Sequence, residues 1–420
     1  MHFQRQSFIL QGMKRHYHHI IKELLGYFPC IAITGVRQCG KTTLLNQLPP
    51  QWKIYDLEKG SDFDIINRDP DLFFRLNPDT IALDEAQLLP QIFSSLRVAI
   101  DADRNKNGRF IITGSSSPEL LRSISESLAG RVAIVEMSPL SLSEANNNEQ
   151  PEIYSLIEQT DTTAKAFLNL TPSNISISQQ HDYWMRGGYP ELWLKKSPRF
   201  TKLWMQNYLK TYIERDIIQL FPGLNREKYR LFIKMLGQLS GNIINYSQIA
   251  RTLAISQPTV REYFNIAHGT FVWRHIPAFE KNIHKRTIKH PKGYLRDSGL
   301  LNHFLHIQKL DDLLAHPVMG HSWESMVIEN LLRGLTIQGL SFDYFHYRTS
   351  AGAEVDLVLE GEFGLIPVEI KYAQKVSLRS LGGIQSFMKD FNCTYGIVIS
   401  NAERIHLIDN KLINIPFGYF

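Results

Sequence analysis

Eight residues in this chain have the types and spacing to hold a polyphosphate. Gly35-Val-Arg-Gln-Cys-Gly-Lys-Thr42 fits G-x-x-x-x-G-K-[ST] in full. Its glycines free the backbone of Val36, Arg37, Gln38, Cys39 and Gly40 to wrap the anion. Lys41 then reaches the β- and γ-phosphates, Thr42 ligates magnesium, and Thr43 follows in the same turn. The pattern predicts a site for ATP with Mg2+.

Partners for that loop lie downstream. The apolar run Ile81-Ala-Leu ends in Asp84 and Glu85. Asp84 is placed to hold the magnesium shell, and Glu85 to polarise an attacking water. The run RFIITGSSS carries Thr113 and Ser115 toward the carboxyl edge of the same sheet, where ligands of open α/β sheets collect; either can sense the γ-phosphate, while one of Ser115–Ser117 can equally cap a helix. Arg131, just before the next apolar run, offers positive charge to a transition state within the subunit or across an interface, and a structural ion pair is the competing role.

A second constellation sits near the C-terminus. Glu354-Val-Asp356 and, after a turn at Gly361–Gly364, Glu369-Ile-Lys371 read as a β-hairpin. Alternation puts Glu369 and Lys371 on one face, with Asp356 converging from the neighbouring strand. Upstream, Trp323-Glu324 opens an amphipathic helical stretch expected to expose Glu324. The order Glu, Asp, Glu-x-Lys is that of the PD-(D/E)XK nuclease fold, in which acids hold magnesium and the lysine orients water. Cross-strand ion pairs on an exposed sheet produce the same Glu-x-Lys.

Between the two sites, residues 245–264 have the layout of a helix-turn-helix. Ser247 and Ser256 serve as caps, and Ile249, Ala250, Leu253, Val260, Tyr263 and Phe264 face inward. Gln257, Thr259 and Arg261 are then exposed on the second helix, and FVWRHIPAF (271–279) supplies a wing. The run from Lys281 to Arg296 holds six Lys or Arg, two His and no acid. Arg261, Lys281, Lys285, Arg286 and Lys289 are the expected DNA phosphate contacts; a packing module beside a solvated basic loop is the competing reading.

The elements that must position these groups follow from periodicity. A helix with Ile20, Ile21, Leu24 and Leu25 on one face leads into the strand Cys30–Thr34. Strands near 53–57, 80–85, 109–114 and 131–137 then alternate with helical segments, which predicts a mainly parallel sheet. The expected division is a P-loop domain over 1–145, a polar insertion and helical lid over 146–225, a winged-helix-like domain over 226–296 and a nuclease-like domain over 297–420. The Asn-, Thr-, Ser- and Gln-rich stretch 146–180 reads as a surface excursion.

Composition narrows the class. Hydrophobic residues make up 43% and charged residues 21% of 420, which excludes global disorder. No apolar run reaches the roughly 20 residues of a membrane span, and no secretory signal opens the chain. Cys30, Cys39 and Cys393 are too scattered for a disulfide framework or zinc site. A cytoplasmic protein is expected. Its net charge of +5 permits an acidic partner without demanding one.

GVRQCGKTTLL, IALDEAQ, FIITGSSS and LAGRVAIVEMSPLS together resemble bacterial and archaeal AAA-family ATPases that carry a C-terminal domain of unknown function. The resemblance continues through RGGYPE, YIERDI, PKGYLRDSGLL and EVDLVLE…VEIK. It implies an AAA-type α/β P-loop domain, then a helical and winged-helix region, then an α/β restriction-endonuclease-like domain. Three functions remain open on this reading: ATP hydrolysis that gates action on nucleic acid, an ATP-driven switch with a protein partner or second copy, and a magnesium nuclease regulated by ATP.

Overall fold

The computed structural model describes residues 13–115, 124, 126–221, 223–280, 290–350 and 352–420, and only the backbone at 115, 213–215, 218 and 219. Contacts divide the chain into two compact units. The first holds the described residues up to Leu140 with Tyr189–Leu194 and Gly269–Phe271; the second holds Ser141–Gly188, Lys195–His268 and Val272–Phe420.

In the first unit, helix α1 (Tyr17–Tyr27) precedes β1 (Cys30–Gly35), and a loop leads to the short α2 (Lys41–Leu45). β2 (Lys53–Asp56), α3 (Gly60–Arg68), α4 (Pro70–Leu76), β3 (Ile81–Asp84), α5 (Ile92–Ala102), β4 (Phe110–Ser115) and β5 (Val132–Met137) follow. The five strands form a sheet in the order β2-β3-β4-β1-β5. Every pairing is parallel. β1 lies inside this order and is buried along its whole length, as an uninterrupted apolar strand must be when covered on both faces. Ile66, Phe73, Phe74, Phe93 and Leu96 from α3, α4 and α5 pack with Leu83, Phe110 and Ile112 of the sheet.

The second unit opens with the polar stretch read above as a surface excursion. That reading is corrected: Ile153, Tyr154, Ile157 and Phe167 are all buried. The sparse apolar residues fall at helical spacing in Ile153–Glu158, and Phe167 meets Tyr395 at 5.2 Å between ring centroids. Polar composition averaged over the stretch hid a narrow apolar stripe. α6 (Ile177–Arg186) and α7 (Pro198–Tyr208) come next, and α7 continues as a π-helical segment, Leu209–Asp216.

α8 (Arg226–Leu239), β6 (Asn242–Ile243), α9 (Tyr246–Leu253), α10 (Gln257–Gly269), β7 (Trp273–Ile276) and β8 (Lys292–Leu295) then give a helix–strand–helix–helix–strand–strand order. Their small antiparallel sheet runs β6-β8-β7. The expected inward residues of α9 and α10 are buried. Ser256 caps α10 by accepting from the Thr259 amide, but α9 is capped by Asn245, which accepts from the Gln248 amide at 3.1 Å, and Ser247 merely donates to Asn245.

α11 (Ser298–Phe304), the long α12 (Met319–Gln338), β9 (Phe342–Arg348), β10 (Glu354–Gly361), β11 (Gly364–Ile370), α13 (Gly382–Asp390), β12 (Gly396–Ser400), β13 (His406–Leu407) and β14 (Leu412–Pro416) complete the unit. The sheet order is β13-β14-β12-β11-β10-β9. β9, β10 and β11 pair antiparallel, whereas β11, β12 and β14 pair parallel, so this sheet is mixed. α12 departs from the amphipathic expectation, because it is buried on nearly every side and takes Glu324, Glu329, Asn330 and Arg333 inside with it. Among the described residues no helix is long and apolar enough to cross a membrane.

Candidate functional site

The glycine loop leaves the carboxyl end of β1. A Cβ at Gly35 would lie 2.1 Å from the Met137 carbonyl oxygen, so no larger residue fits between β1 and β5. Gln38 (φ 64°) and Gly40 (φ 105°) both take the left-handed region, the alternation by which successive backbone amides turn inward around an anion. The Lys41 ammonium is buried within this turn and donates to the carbonyls of Gly35 at 3.1 Å and Val36 at 3.3 Å.

Arg15, which sequence reasoning missed, holds the loop from behind. Its guanidinium is buried and donates to the Cys39 carbonyl at 2.5 Å and the Ser138 carbonyl at 2.7 Å. The Ser138 amide in turn donates to the Tyr17 hydroxyl. No local spacing signals a tie that spans 24 residues on one side and 123 on the other.

β3 delivers the acids. Asp84 is buried, and the Thr113 hydroxyl of β4 donates to it. Burial and then the neighbouring Glu85 push its carboxyl above the ordinary value, against hydrogen bonds from Thr113 and Thr42 and the charge of Lys41. Thr42, Asp84 and Lys41 are therefore mutual neighbours. A hydroxyl and a carboxylate are hard oxygen donors of the kind magnesium takes alongside phosphate oxygens, so this set fits the ion. Glu85 holds the left-handed φ of 54°, costly for a residue with a side chain. Its amide donates to Thr113 Oγ1 at 3.3 Å, and Gln87 Nε2 donates to its carboxylate at 2.5 Å.

Two further acids, also missed from sequence, share this edge. Asp56 ends β2 in register with Asp84, and Glu58 follows it. Burial, then Glu85, raises the Glu58 carboxyl, although Arg37 lies 3.7 Å away and opposes the shift. Ser115 pairs with Gly35 at the end of β4.

Arg131 is not brought to this edge. Val132 pairs with Cys30, the first residue of β1, whereas the loop leaves from Gly35 at the other end. Five steps of about 3.3 Å separate the two edges. Arg131 instead grips Asp101 of α5 through two hydrogen bonds of 2.7 and 2.9 Å.

In the second unit, Asp356 on β10 and Glu369 and Lys371 at the end of β11 do converge. Lys371 Nζ lies 2.6 Å from Glu369 and 3.9 Å from Asp356, whose other contact is the Ile370 amide at 2.8 Å. Burial, then Glu324 and Glu369, pushes Asp356 well above the ordinary carboxyl value; burial also raises Glu369. One Glu369 oxygen, Oε2, is buried with no hydrogen-bond partner.

Glu324 corrects the sequence expectation of exposure. β7 and β8 cover the second face of α12, so Glu324 is buried and receives Lys292 Nζ at 2.5 Å and the Tyr294 hydroxyl. Against the cost of burial, Lys292 foremost and then His321 and Tyr294 hold its pKa at about 2. Asp356 and Glu369 thus suit a hard cation while Glu324 is already paired. Among the described residues no three His, Cys, Asp or Glu are grouped to hold a metal ion.

Arg261 is exposed on α10 and stacks over the Tyr246 ring at 4.1 Å. Lys281, Lys285, Arg286 and Lys289 lie outside the described residues. Cys30, Cys39 and Cys393 are free and buried.

Family models match three stretches of this chain: an AAA domain over residues 27–146, a domain of unknown function (DUF8612) over 177–311 and another (DUF4143) over 319–420. The chain is 32% identical over 399 residues to the Mycobacterium tuberculosis protein named Uncharacterized protein Rv2008c, covering 94% of this chain and 82% of that one. It is 26% identical to Uncharacterized protein MJ1544 of Methanocaldococcus jannaschii, covering 92% and 86%. Among solved structures, the Walker-type ATPase PABY2304 of Pyrococcus abyssi matches at 16% identity and a TM-score of 0.42, over 69% of this chain and 95% of that one.

Proposed function

The chain belongs to the same family as the mycobacterial protein and begins with an AAA-type P-loop ATPase domain; from that premise we propose that it hydrolyses ATP with magnesium and uses the cycle to gate action on nucleic acid. One observation carries this reading: a buried lysine inside a left-handed glycine turn, with Asp84 and Thr42 beside it at the carboxyl edge of the sheet. Lys41 leaves the Gly35 and Val36 carbonyls for the phosphates, and the loop amides take the remaining charge. Thr42 and Asp84 would hold magnesium, which would supply charge neutralisation at the phosphates. Thr113 orients Asp84, and Glu85, steadied by Gln87, accepts a hydrogen bond from the attacking water. Arg131 has no part in its own subunit's chemistry. The free, buried cysteines suit the reducing cytoplasm.

The nucleic-acid half of the reading is supported by residues 226–295, whose element order is that of a winged helix, with Arg261 exposed on its second helix and the run 281–296 rich in Lys and Arg. The test is hydrolysis by the full chain with and without duplex and single-stranded DNA, at rising salt. Stimulation that fades as salt rises supports gating by nucleic acid. ATP-dependent self-association or partner binding with no DNA response supports the switch instead.

A second reading, a magnesium nuclease regulated by ATP, is favoured by the convergence of Asp356, Glu369 and Lys371 within a helix–three-strand–helix–strand order. Asp356 and Glu369 would hold magnesium, which supplies Lewis acidity toward a phosphodiester, while Lys371 positions the attacking water. Cutting abolished by Lys371→Ala but only modulated by Lys41→Ala marks this outcome.

A further inference from the structure

A cleft of about 640 Å³ opens between α6, α7, α11 and the chain that follows α11. None of the residues discussed above for nucleotide, metal or DNA lines it. Its size falls within the roughly 300–1,000 Å³ typical of small-molecule sites. Met185, Met205, Ile307 and Leu310 give it an apolar interior, and methionine adapts to ligands of irregular shape.

Three of its lining residues each keep one side-chain polar atom without accessible surface or hydrogen-bond partner: Arg186 Nη1, Thr201 Oγ1 and Asn302 Oδ1. Asn302 is only 2% exposed, and its amide nitrogen donates to the Trp184 carbonyl at 3.0 Å, the Met185 carbonyl at 3.3 Å and the Met185 sulfur at 4.0 Å. Buried polar groups normally find partners, because leaving one unmet costs about 1–3 kcal/mol. All three lack accessible surface, so they make the wall locally polar without themselves facing a ligand.

Charge says what kind of head. Arg199, Lys202 and Lys309 are exposed at the rim, with His303 and His306 between them. The one acid, Asp182, is already paired with Arg186 Nε at 2.5 Å. Burial, then His306 and Lys202, lowers the His303 pKa. The walls are also set in advance: a Cβ at Gly299 would lie 2.0 Å from the Arg186 carbonyl, so α6 and α11 meet with no room to shift.

We propose that this cleft binds a small amphipathic anion, its apolar body on Met185, Met205 and Leu310 and its carboxylate or phosphate head against the basic rim of Arg199, Lys202 and Lys309. Calorimetric titration of the full chain with decanoate, decyl phosphate and decyltrimethylammonium, each below its micelle concentration, tests this. The two anions are expected to bind, and their order tells a carboxylate from a phosphate preference; the cation is expected to bind at least tenfold more weakly. Lys41→Ala leaves the anions' binding unchanged, which separates this cleft from the phosphate loop. The double variant Arg199→Gln, Lys202→Gln, which alters only exposed side chains and whose folding is checked by its melting temperature, weakens both anions about tenfold. Equal binding of cation and anions, no heat from any of the three, or a double variant that binds the anions as well as wild type overturns the proposal.

Discussion

The Arg15 guanidinium donates to the Cys39 carbonyl at 2.5 Å, so a residue before α1 fixes the back of a loop that begins twenty positions later. Its second bond, to Ser138, anchors the end of β5 as well. Truncating Arg15 to alanine leaves two carbonyls without a charged donor, at about 1.5–3 kcal/mol each before relaxation. The expected result is a stability loss of about 2–4 kcal/mol in urea unfolding and, on the proposed function, ATP affinity about tenfold weaker. A variant that loses stability yet binds ATP like wild type would show that the clamp serves the fold alone.

Glu85 combines a strained backbone with a side chain held by Gln87, an arrangement that fixes where its carboxylate points. On the proposed function, Glu85→Gln removes the acceptor for a water proton without altering shape. Hydrolysis is expected to fall at least about a hundredfold while ATP still binds. Gln87→Ala, which frees the carboxylate but keeps it, is expected to cost less. Steady-state rates beside equilibrium binding of a nonhydrolysable analogue separate the two effects.

The parts of this fold that were legible are those whose cause is local. A strand–loop–helix with glycines at fixed offsets, and strands alternating with helices, declare themselves because backbone sterics and burial act within a few residues. Arg15, Asp56 and Lys292 did not, since each meets its partner only after the chain has crossed a sheet or closed a unit. Residues 146–180 misled because a few buried apolar side chains, Ile153, Tyr154, Ile157 and Phe167 among them, are outvoted by their polar neighbours in any average. Glu324 misled differently. α12 carries charge where a one-sided helix would be wet, and β7 and β8, from earlier in the chain, cover Glu324 and Glu329.

That covered face carries a pH signature. Glu329 accepts hydrogen bonds from Arg274, and from Arg296 at 3.2 Å, inside the second unit. Burial opposes its charge, but the two arginines hold its pKa at about 2, below the ordinary 4.5. A carboxylate depressed on folding adds stability above its unfolded pKa and loses it as pH falls through the folded one. The window is therefore from about pH 4.5 down to 2. The gap corresponds to about 3 kcal/mol. Glu329→Gln should cost at least that at pH 7 and progressively less below pH 4.5, read as the difference between wild-type and variant urea curves. A constant difference across that range would mean that Glu329 keeps an ordinary pKa.

Lys292 and Glu324, 2.5 Å apart, set the state of the C-terminal acidic cluster. Glu324 lies within electrostatic reach of Asp356 and Glu369; Lys371 pairs with the latter two, and Lys292 pairs with Glu324. Asp356 is pushed up by burial and then by Glu324 and Glu369, a repulsion that a divalent cation relieves as well as a proton does. Lys292→Gln keeps a hydrogen-bond donor for Glu324 but removes one positive charge. The variant is expected to bind Mn2+ about tenfold more tightly than wild type in calorimetry at pH 7, since a unit charge at this range in a partly buried site is worth at least about 1 kcal/mol. Adding Glu324→Gln to Lys292→Gln should cancel the gain. If Lys292→Gln leaves Mn2+ affinity where it was, Glu324 belongs to the scaffold of α12 and takes no part in holding a cation at this sheet.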